Sequence, residues 1–268
     1  MSSKGQEAQL PAGLSDLHAL PRPLYGHVEA LPNRMLGYRH RHPWVQLAYA
    51  AQGVLEVSTD RGRYVAPPQR AIWIPQGTAH QVRCRAGTSI RSLYIDSDTG
   101  HRQGSGCRVL VVSPLLRELI DAFSLVPVRY AVDGADGRLA AVLLDRIAAA
   151  PEADLMLPLP SDADLRQLCR SAQAHPSRKA SLRPLSERRG VSEKTLSRLF
   201  LRETGLTFRA WLQRMRLLAA LPALERGARV TDVALDCGYE SLSAFIAAFR
   251  KLFDASPGEF FAARRDPA

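Results

Sequence analysis

Between residues 45 and 112 the apolar residues occur in short runs separated by glycine, proline or aspartate. The runs are rich in valine, isoleucine, tyrosine and tryptophan, which is typical of β-strands. The stretch QGVLEVSTDRGRYVAPP has the pattern of a hairpin that turns at Asp60-Arg61-Gly62. Many short strands at this spacing predict an antiparallel sandwich or barrel, which we place at residues 23–112.

At Ser113 the apolar spacing changes from the strand period to the helix period. Ser113 and Pro114 form a helix start, with an N-cap serine followed by a first-turn proline. A second amphipathic segment follows over residues 136–149. The region 113–149 is therefore predicted to be helical. Its apolar faces have two interpretations: they cover the β-structure, or they form a dimer interface.

The segment 150–161 is rich in proline and has little periodicity, so we predict a linker there. Residues 1–22 are predicted to be a flexible N-terminal arm, because they lack the apolar core of a signal peptide. No apolar run is long enough to cross a bilayer. We therefore expect a cytoplasmic protein without a membrane partner.

Two stretches of the second half resemble each other, residues 185–211 and 233–260. Each has a short helix, a glycine (Gly190 or Gly238) and a second helix with a serine at its start, Ser192 or Ser241. Apolar residues at helical spacing between the copies predict one long helix that joins them. One copy alone would fit an ordinary helical hairpin, but two matched copies favour a pair of DNA-binding helix-turn-helix units.

Charge supports a polyanionic partner for the second half. The 268-residue chain has a formal net charge of +10, and residues 161–268 contain 19 lysines and arginines against 12 acidic residues. A basic half of this kind favours double-stranded DNA as the partner. The four cysteines form no CxxC pair, so a disulfide framework or zinc knuckle is not expected. We expect buried, reduced thiols instead.

Residues 162–265 resemble the DNA-binding domain of the AraC/XylS family of bacterial transcription regulators. The resemblance is carried by GVSEKTLSRLF and DVALDCGYESLSAFIAAFRKLFDASPGEF. It implies that the second helix of each unit enters the major groove, about one helical turn apart. It also implies a homodimer, a small-molecule effector and a role as activator or repressor, with RNA polymerase as a further partner.

The residues predicted to bind DNA lie on the outward faces of these two helices. In the first helix Arg198 suits a bidentate contact with guanine, and Arg202 a phosphate contact. The second helix is poorer in polar residues, which favours phosphate positioning and contact with thymine methyl groups. The complete predicted set is Lys194, Thr195, Ser197, Arg198, Arg202, Leu242, Ser243, Ile246, Arg250 and Lys251.

The histidines of HRHPW and PQGTAH raise a second question of chemistry. His40, His42 and Gln46 are spaced HxH-x3-Q, and His80 ends PxGxxH, which resembles the two motifs of the cupin barrel. In that family these positions hold a metal, but Gln46 stands where the family has glutamate. His40 and His42 are two apart on a strand, so both can face the interior.

Three interpretations of this pocket stay open. The histidines are hydrogen-bonded residues of the fold, or ligands of a divalent metal, or part of an organic-effector pocket. The three metal ligands would be His40, His42 and His80, since imidazole suits zinc, nickel, copper or iron. The predicted effector pocket consists of His40, His42, Trp44, Gln46, Tyr49, Trp73 and His80.

The sequence thus predicts an α+β protein of two domains. The N-terminal domain is an antiparallel cupin-like β-barrel with flanking helices, and the C-terminal domain is all-α with two helix-turn-helix units. The predicted function is sequence-specific transcriptional regulation controlled by a small-molecule effector, not enzymatic activity. The alternatives are a cupin metalloenzyme of dioxygenase or isomerase type with an accessory DNA-binding domain, and a sequence-neutral architectural DNA protein.

Overall fold

A computed structural model describes residues 20–29, 38–84, 87–96 and 106–262. Most of the predicted arm, residues 1–19, lies outside the described residues, as do residues 263–265 at the end of the helical domain. The chain divides into two compact units. The sheet unit takes in Met1–Thr59 and Gln69–Ala153, and the helical unit takes in Asp60–Pro68 and Asp154–Ala268.

The β-strands occupy the first half and the predicted linker. They are β1 Leu24–Glu29, β2 Val45–Gln52, β3 Leu55–Ser58, β4 Gly62–Ala66, β5 Arg70–Ile74, β6 Gln81–Cys84, β7 Ser89–Ile95, β8 Arg108–Val111, β9 Glu152–Ala153 and β10 Met156–Pro158. The helices begin after β8. They are α1 Pro114–Phe123, α2 Ala135–Ala149, α3 Ala163–Ala174, α4 Arg183–Arg189, α5 Glu193–Thr204, α6 Phe208–Glu225, α7 Val230–Asp236, α8 Leu242–Phe253 and α9 Pro257–Ala262.

The sheet unit is built on a six-stranded antiparallel sheet with the order β1-β7-β2-β5-β8-β9, and β3 pairs separately with β6. The prediction of antiparallel strands is confirmed. The order of the six strands has two ends, so this sheet is open and the described strands do not close the predicted cupin-like barrel. Closure would require hydrogen bonds along the outer edges of β1 and β9.

Helices α1 and α2 cover one face of this sheet. Leu116, Ile120 and Phe123 of α1 are buried together with sheet residues such as Leu47 and Leu93. The helix begins as the sequence predicts, because the Ser113 hydroxyl accepts a hydrogen bond from the Leu116 amide at 3.2 Å. The two helices therefore pack on the sheet, and their remaining faces are exposed.

The helical unit contains α3 to α9 together with the paired strands β4 and β10. The longest helix, α6, has 18 residues and joins two shorter helix pairs. Trp211 of α6 is fully buried, and its indole Nε1 donates a hydrogen bond to the Pro158 carbonyl at 2.6 Å. No helix in the described part of the chain is long and apolar enough to cross a membrane.

Both helix pairs have the predicted helix-turn-helix signals. The hydroxyls of Ser192 and Ser241 cap α5 and α8 by accepting from the amides of Thr195 and Ala244. Gly190 and Gly238 have left-handed backbones, with φ of +63° and +77°. Glycine is favoured there because a Cβ strains this conformation. The prediction of two matched units joined by a long helix is confirmed.

Candidate DNA interface and histidine pocket

The predicted DNA-contact residues of α5 form the exposed face of that helix. Leu196 and Phe200 are buried against the rest of the helical unit, so the side chains between them point outward. The outward residues are Lys194, Thr195, Ser197, Arg198 and Arg202, and all five are exposed. The Thr195 hydroxyl lies 2.9 Å from the Ser192 hydroxyl, so the helix cap already engages it.

Helix α8 presents a less polar face. Leu242 and Ser243 are exposed near its start, whereas Ile246 is half-buried. Arg250 and Lys251 are exposed in its last turn, and an Arg250 guanidinium nitrogen lies 3.9 Å from a Glu259 carboxylate oxygen. The cations of α8 are thus separated from its N-terminal end, the end that recognition helices present to bases.

Three histidines meet in the sheet unit. His40 and His80 form an isolated antiparallel bridge in which each backbone amide donates to the other carbonyl at 2.9 Å. This bridge brings the two rings to 4.3 Å between centroids, and the His42 ring lies 5.1 Å from that of His80. One ring nitrogen from each histidine lies within 4.8 Å of the other two.

The hydrogen bonds fix which ring nitrogens carry protons. His42 Nδ1 donates to the Trp44 carbonyl at 2.7 Å, and His80 Nδ1 donates to the Thr78 carbonyl at 2.8 Å. In a neutral ring the second nitrogen is then an acceptor. His80 Nε2 and His40 Nδ1 are both buried and have no hydrogen-bond partner among the residues that the structure describes. Buried polar atoms of this kind are rare unless a ligand, ion or water satisfies them.

Burial keeps the three rings neutral. The pKa of His80 is lowered to about 3, chiefly by burial, with smaller contributions from the neighbouring His40, His42 and Arg39. The pKa values of His40 and His42 are also lowered, chiefly by desolvation. Metal coordination requires the deprotonated nitrogen lone pair. The cluster therefore offers lone pairs at neutral pH without first losing protons.

Gln46 closes one side of the cluster. Its Oε1 lies 3.1 Å from His42 Nε2, and its Nε2 donates to the Ser92 hydroxyl at 3.1 Å. Neutral His42 presents an acceptor at Nε2, and Oε1 is an acceptor too. Two acceptors cannot hydrogen-bond to each other. The contact is favourable only if the Gln46 amide is turned so that its NH2 group faces His42 Nε2, or if both atoms bind one cation.

Aromatic residues form the adjoining wall. Trp44 stacks on His42 with ring centroids 5.9 Å apart, and the Trp44 indole Nε1 is buried without a hydrogen-bond partner in the described ranges. Tyr94 lies 6.1 Å from both rings. Sequence reasoning did not include Tyr94 or Ser92. Their position follows from the pairing of β2 with β7, in which Gln46 faces Tyr94, and that register is not visible in the sequence.

Two predicted pocket residues lie elsewhere. Tyr49 and Trp73 are buried in the core between the sheet and helices α1 and α2. Successive residues of a strand point to opposite faces, so Tyr49 lies on the face opposite Gln46. Trp73 pairs with Leu47, which shares that core. The structure thus brings together His40, His42, His80, Gln46 and Trp44, but not Tyr49 or Trp73.

Two helix-turn-helix units on one helix, preceded by a sheet unit with its own polar pocket, define a two-domain DNA-binding transcriptional regulator. The family comparisons agree. Residues 185–263 match the model of a helix-turn-helix domain, and residues 32–147 match that of an AraC-like ligand-binding domain. The chain belongs to the AraC family of transcriptional regulators.

Known relatives match over different lengths. The HTH-type transcriptional regulator NimR of Escherichia coli K12 is 32% identical over 223 residues, covering 83% of this chain and 81% of NimR. RipA of Corynebacterium glutamicum is 32% identical over 103 residues, 38% of this chain and 31% of RipA. The crystal structure of the AdpA DNA-binding domain in complex with a target DNA is 30% identical over 38% of this chain and 96% of that domain, with a TM-score of 0.34.

Proposed function

We propose that the three-histidine pocket of this AraC-family regulator holds a divalent transition metal that controls its binding to DNA. The observation that carries the proposal is the pair of buried imidazole nitrogens, His40 Nδ1 and His80 Nε2, which have no hydrogen-bond partner within the described part of the chain. His42 supplies a third ligand within reach. Neutral nitrogen ligands suit zinc, nickel, copper or iron(II).

The residues fit such a metal by their chemistry as well as by their position. The Nδ1 protons of His42 and His80 are held by backbone carbonyls, an outer-shell arrangement that orients the free nitrogen of a ligating histidine. When bound, the metal would supply a positive charge. It would also link the His40–His80 bridge to the segment that carries His42. The three-histidine set also supports a cupin-like ancestry for the open sheet unit.

DNA recognition is proposed to lie mainly on α5. Lys194, Ser197 and Arg198 would face bases, while Arg202 and the α8 residues Arg250 and Lys251 would contact phosphates. The bound protein would alter promoter output in the cytoplasm, by contact with RNA polymerase or by obstructing it. The assignment of base contacts to α5 and of phosphate contacts to Arg202 and α8 is supported by the exposure of these side chains and by the few polar residues on the surface of α8.

Metal analysis of tag-free protein tests the pocket. Wild type should carry about one metal per chain, and His80→Ala should lower metal affinity by more than about 100-fold, because it removes a ligand and not merely an outer-shell partner. Elemental mass spectrometry and competition with a chelating dye measure both quantities. His175→Ala is the control, since His175 is exposed at the end of α3.

A selection of binding sites from random duplexes then tests the control of DNA binding. Metal-loaded wild type and chelator-treated wild type should recover the enriched sequence in different yields. His80→Ala should recover it in the same yield with metal and with chelator. Wild type that binds no zinc, nickel, copper or iron would refute the metal. Turnover of a substrate by iron-loaded protein would instead support the enzymatic alternative.

A second candidate is an organic effector with a hydrogen-bond acceptor. It is favoured by Trp44, whose ring stacks on His42 and whose buried Nε1 proton has no acceptor among the described residues. An aromatic or planar ligand could lie against this wall. The test is a thermal-shift screen of metal-free protein against a library of ligands. A ligand that stabilises wild type but not Trp44→Phe would support this candidate over the first.

We also propose that the protein is a homodimer through α1 and α2, whose outer faces expose Leu115 and Val142 by 55% and 47%. The double variant Leu115→Glu/Val142→Glu should weaken dimerisation by more than about tenfold, because it places charge in an apolar interface. Sedimentation equilibrium measures this. Leu235→Glu, an equally exposed leucine of α7, should leave the dimer intact. A monomeric wild type would contradict the proposal.

A further inference from the structure

The loop between α3 and α4 is held against the turn of the second helix-turn-helix unit. Arg216 in the middle of α6 donates to the Pro176 carbonyl at 3.0 Å and to the Gly238 carbonyl at 3.3 Å. A third contact reaches the Arg178 carbonyl at 3.4 Å. One guanidinium thus ties residues 176–178 to the turn between α7 and α8.

Gly238 makes this packing close. A Cβ at this position would lie 2.8 Å from Ser177 Cα, which is shorter than real contacts allow. The backbones of the loop and of the second turn therefore lie against each other. The loop has a fixed place between the two helix-turn-helix units, set by Arg216 and by the absence of a side chain at Gly238.

A cavity of about 840 Å³ lies beside this loop. One wall is the exposed face of α5, with Lys194 and Arg198. The start of α6 contributes Arg209, and the far wall is formed by residues 180–182 and by Tyr239 of the second turn. The cavity therefore separates the base-reading face proposed for the first unit from the turn of the second.

Three cations beside this cavity have no acidic partner among the described residues. Arg178 and Lys179 of the loop are exposed, as is Arg209, and none of the three forms a salt bridge within the described part of the chain. By contrast, Arg189 binds Asp162 and Asp164, and Arg214 binds Asp154. The cavity has one acidic residue in its lining, Glu193. Exposed cations without partners form an anion-binding surface.

We propose that the loop 176–181 and the start of α6 bind the DNA phosphate backbone between the two major-groove sites. Arg178, Lys179 and Arg209 would be the phosphate contacts, and Arg216 the residue that positions the loop. This inference rests on the proposal that α5 and α8 enter the major groove. Two such helices about one turn apart leave the intervening phosphates facing the protein between them, where the cavity lies.

Contacts of this kind fix the register of the protein on DNA and carry no sequence information. They also release counterions, so each contact makes the slope of log affinity against log salt more negative by about 0.9. Removing Arg178 and Lys179 should therefore reduce the magnitude of this slope by about 2. The affinity for every sequence should fall by a similar factor.

The experiment uses full-length protein and a fluorescein-labelled duplex of random sequence, about four helical turns long, titrated between about 50 and 200 mM salt. Fluorescence anisotropy gives the slope for wild type and for Arg178→Ala/Lys179→Ala. The control Arg108→Ala/Arg117→Ala removes the same charge from the sheet unit, where both arginines are paired with glutamates. Its slope should match that of wild type.

The outcomes separate the inference from the proposed function. Wild type that does not bind DNA would overturn both. If wild type binds DNA and the loop variant has the same slope of log affinity against log salt, the inference alone is overturned. An equal change in the Arg108/Arg117 control would also overturn it, since that would be an effect of net charge.

Arg216→Lys tests the positioning role of Arg216. Lysine keeps the charge but not the three hydrogen bonds. The magnitude of the slope should fall as in the loop variant, and the substitution should add nothing when combined with Arg178→Ala/Lys179→Ala. A further fall in the combined variant would show that Arg216 does not act through the loop.

Discussion

Replacing Gly238 by alanine should lower the free energy of unfolding of the helical unit by about 2–5 kcal/mol, whereas Gly190→Ala should cost about 1–2 kcal/mol. Both glycines have left-handed backbones, so an alanine at either position carries the same conformational strain. The difference comes from space. An added Cβ at Gly238 meets the backbone of Ser177, but at Gly190 it meets no atom of the described residues within 4 Å.

Urea unfolding followed by the helical circular dichroism signal would measure both variants. Gly190→Ala is the matched control, because it is the equivalent residue of the first helix-turn-helix unit. Gly238→Ala should also weaken DNA binding at temperatures where it is folded, since it displaces the loop 176–178. Equal losses of stability in the two variants would show that the packing of Gly238 against Ser177 is not tight.

Arg198→Ala should lower affinity for the selected DNA site by about 5- to 150-fold while changing the affinity for scrambled DNA much less. The range corresponds to the loss of one bidentate contact with guanine, about 1–3 kcal/mol. Arg198 is exposed in α5, its guanidinium has no acidic partner among the described residues, and it lines the cavity beside the proposed phosphate contacts.

Arg250→Ala is the comparison for Arg198. Arg250 lies in the last turn of α8, and its guanidinium is 3.9 Å from Glu259. Its loss should weaken selected and scrambled sites by the same factor, as expected for a phosphate contact. Anisotropy titrations of both variants against both duplexes measure this. The opposite pattern, with sequence preference lost at Arg250 and kept at Arg198, would reverse the assignment of base-reading and positioning roles.

Much of the helical unit could be predicted because its signals are local. An N-cap serine such as Ser192 acts on an amide three residues away, and Gly190 determines the backbone of its own turn. The repeat of both signals at Ser241 and Gly238 then identified the second unit. None of these features requires knowledge of which distant segments meet.

The pocket was only partly predictable, because strand register decides it. The two-residue spacing of His40 and His42 shows that they share a face, and PQGTAH points to His80. Tyr49 and Trp73 were predicted to line the pocket, but they belong to the core on the other side of the sheet. The strand alternation from Gln46 places Tyr49 on the other face, and the pairing of Trp73 with Leu47 is a contact between distant segments.

The contacts of Arg216 could not be predicted from the sequence for a similar reason. Its three acceptors are backbone carbonyls, and a carbonyl has the same chemistry at every residue. An arginine in the middle of a helix is usually exposed and hydrated. Only the folded chain shows that this one joins residues 176–178 to Gly238.

The strand pair inside the helical unit limits how that unit can be cut from the chain. Residues 156–158 pair with residues 62–64, and the Pro158 carbonyl accepts the buried indole proton of Trp211. A minimal DNA-binding fragment that starts at residue 162 would leave that proton without an acceptor, at a cost of about 1–3 kcal/mol. A stable fragment should start before Asp154, whose carboxylate binds Arg214, and would still lack β4. Fusion proteins that exchange sensor domains should therefore keep residues 154–161 with the helices.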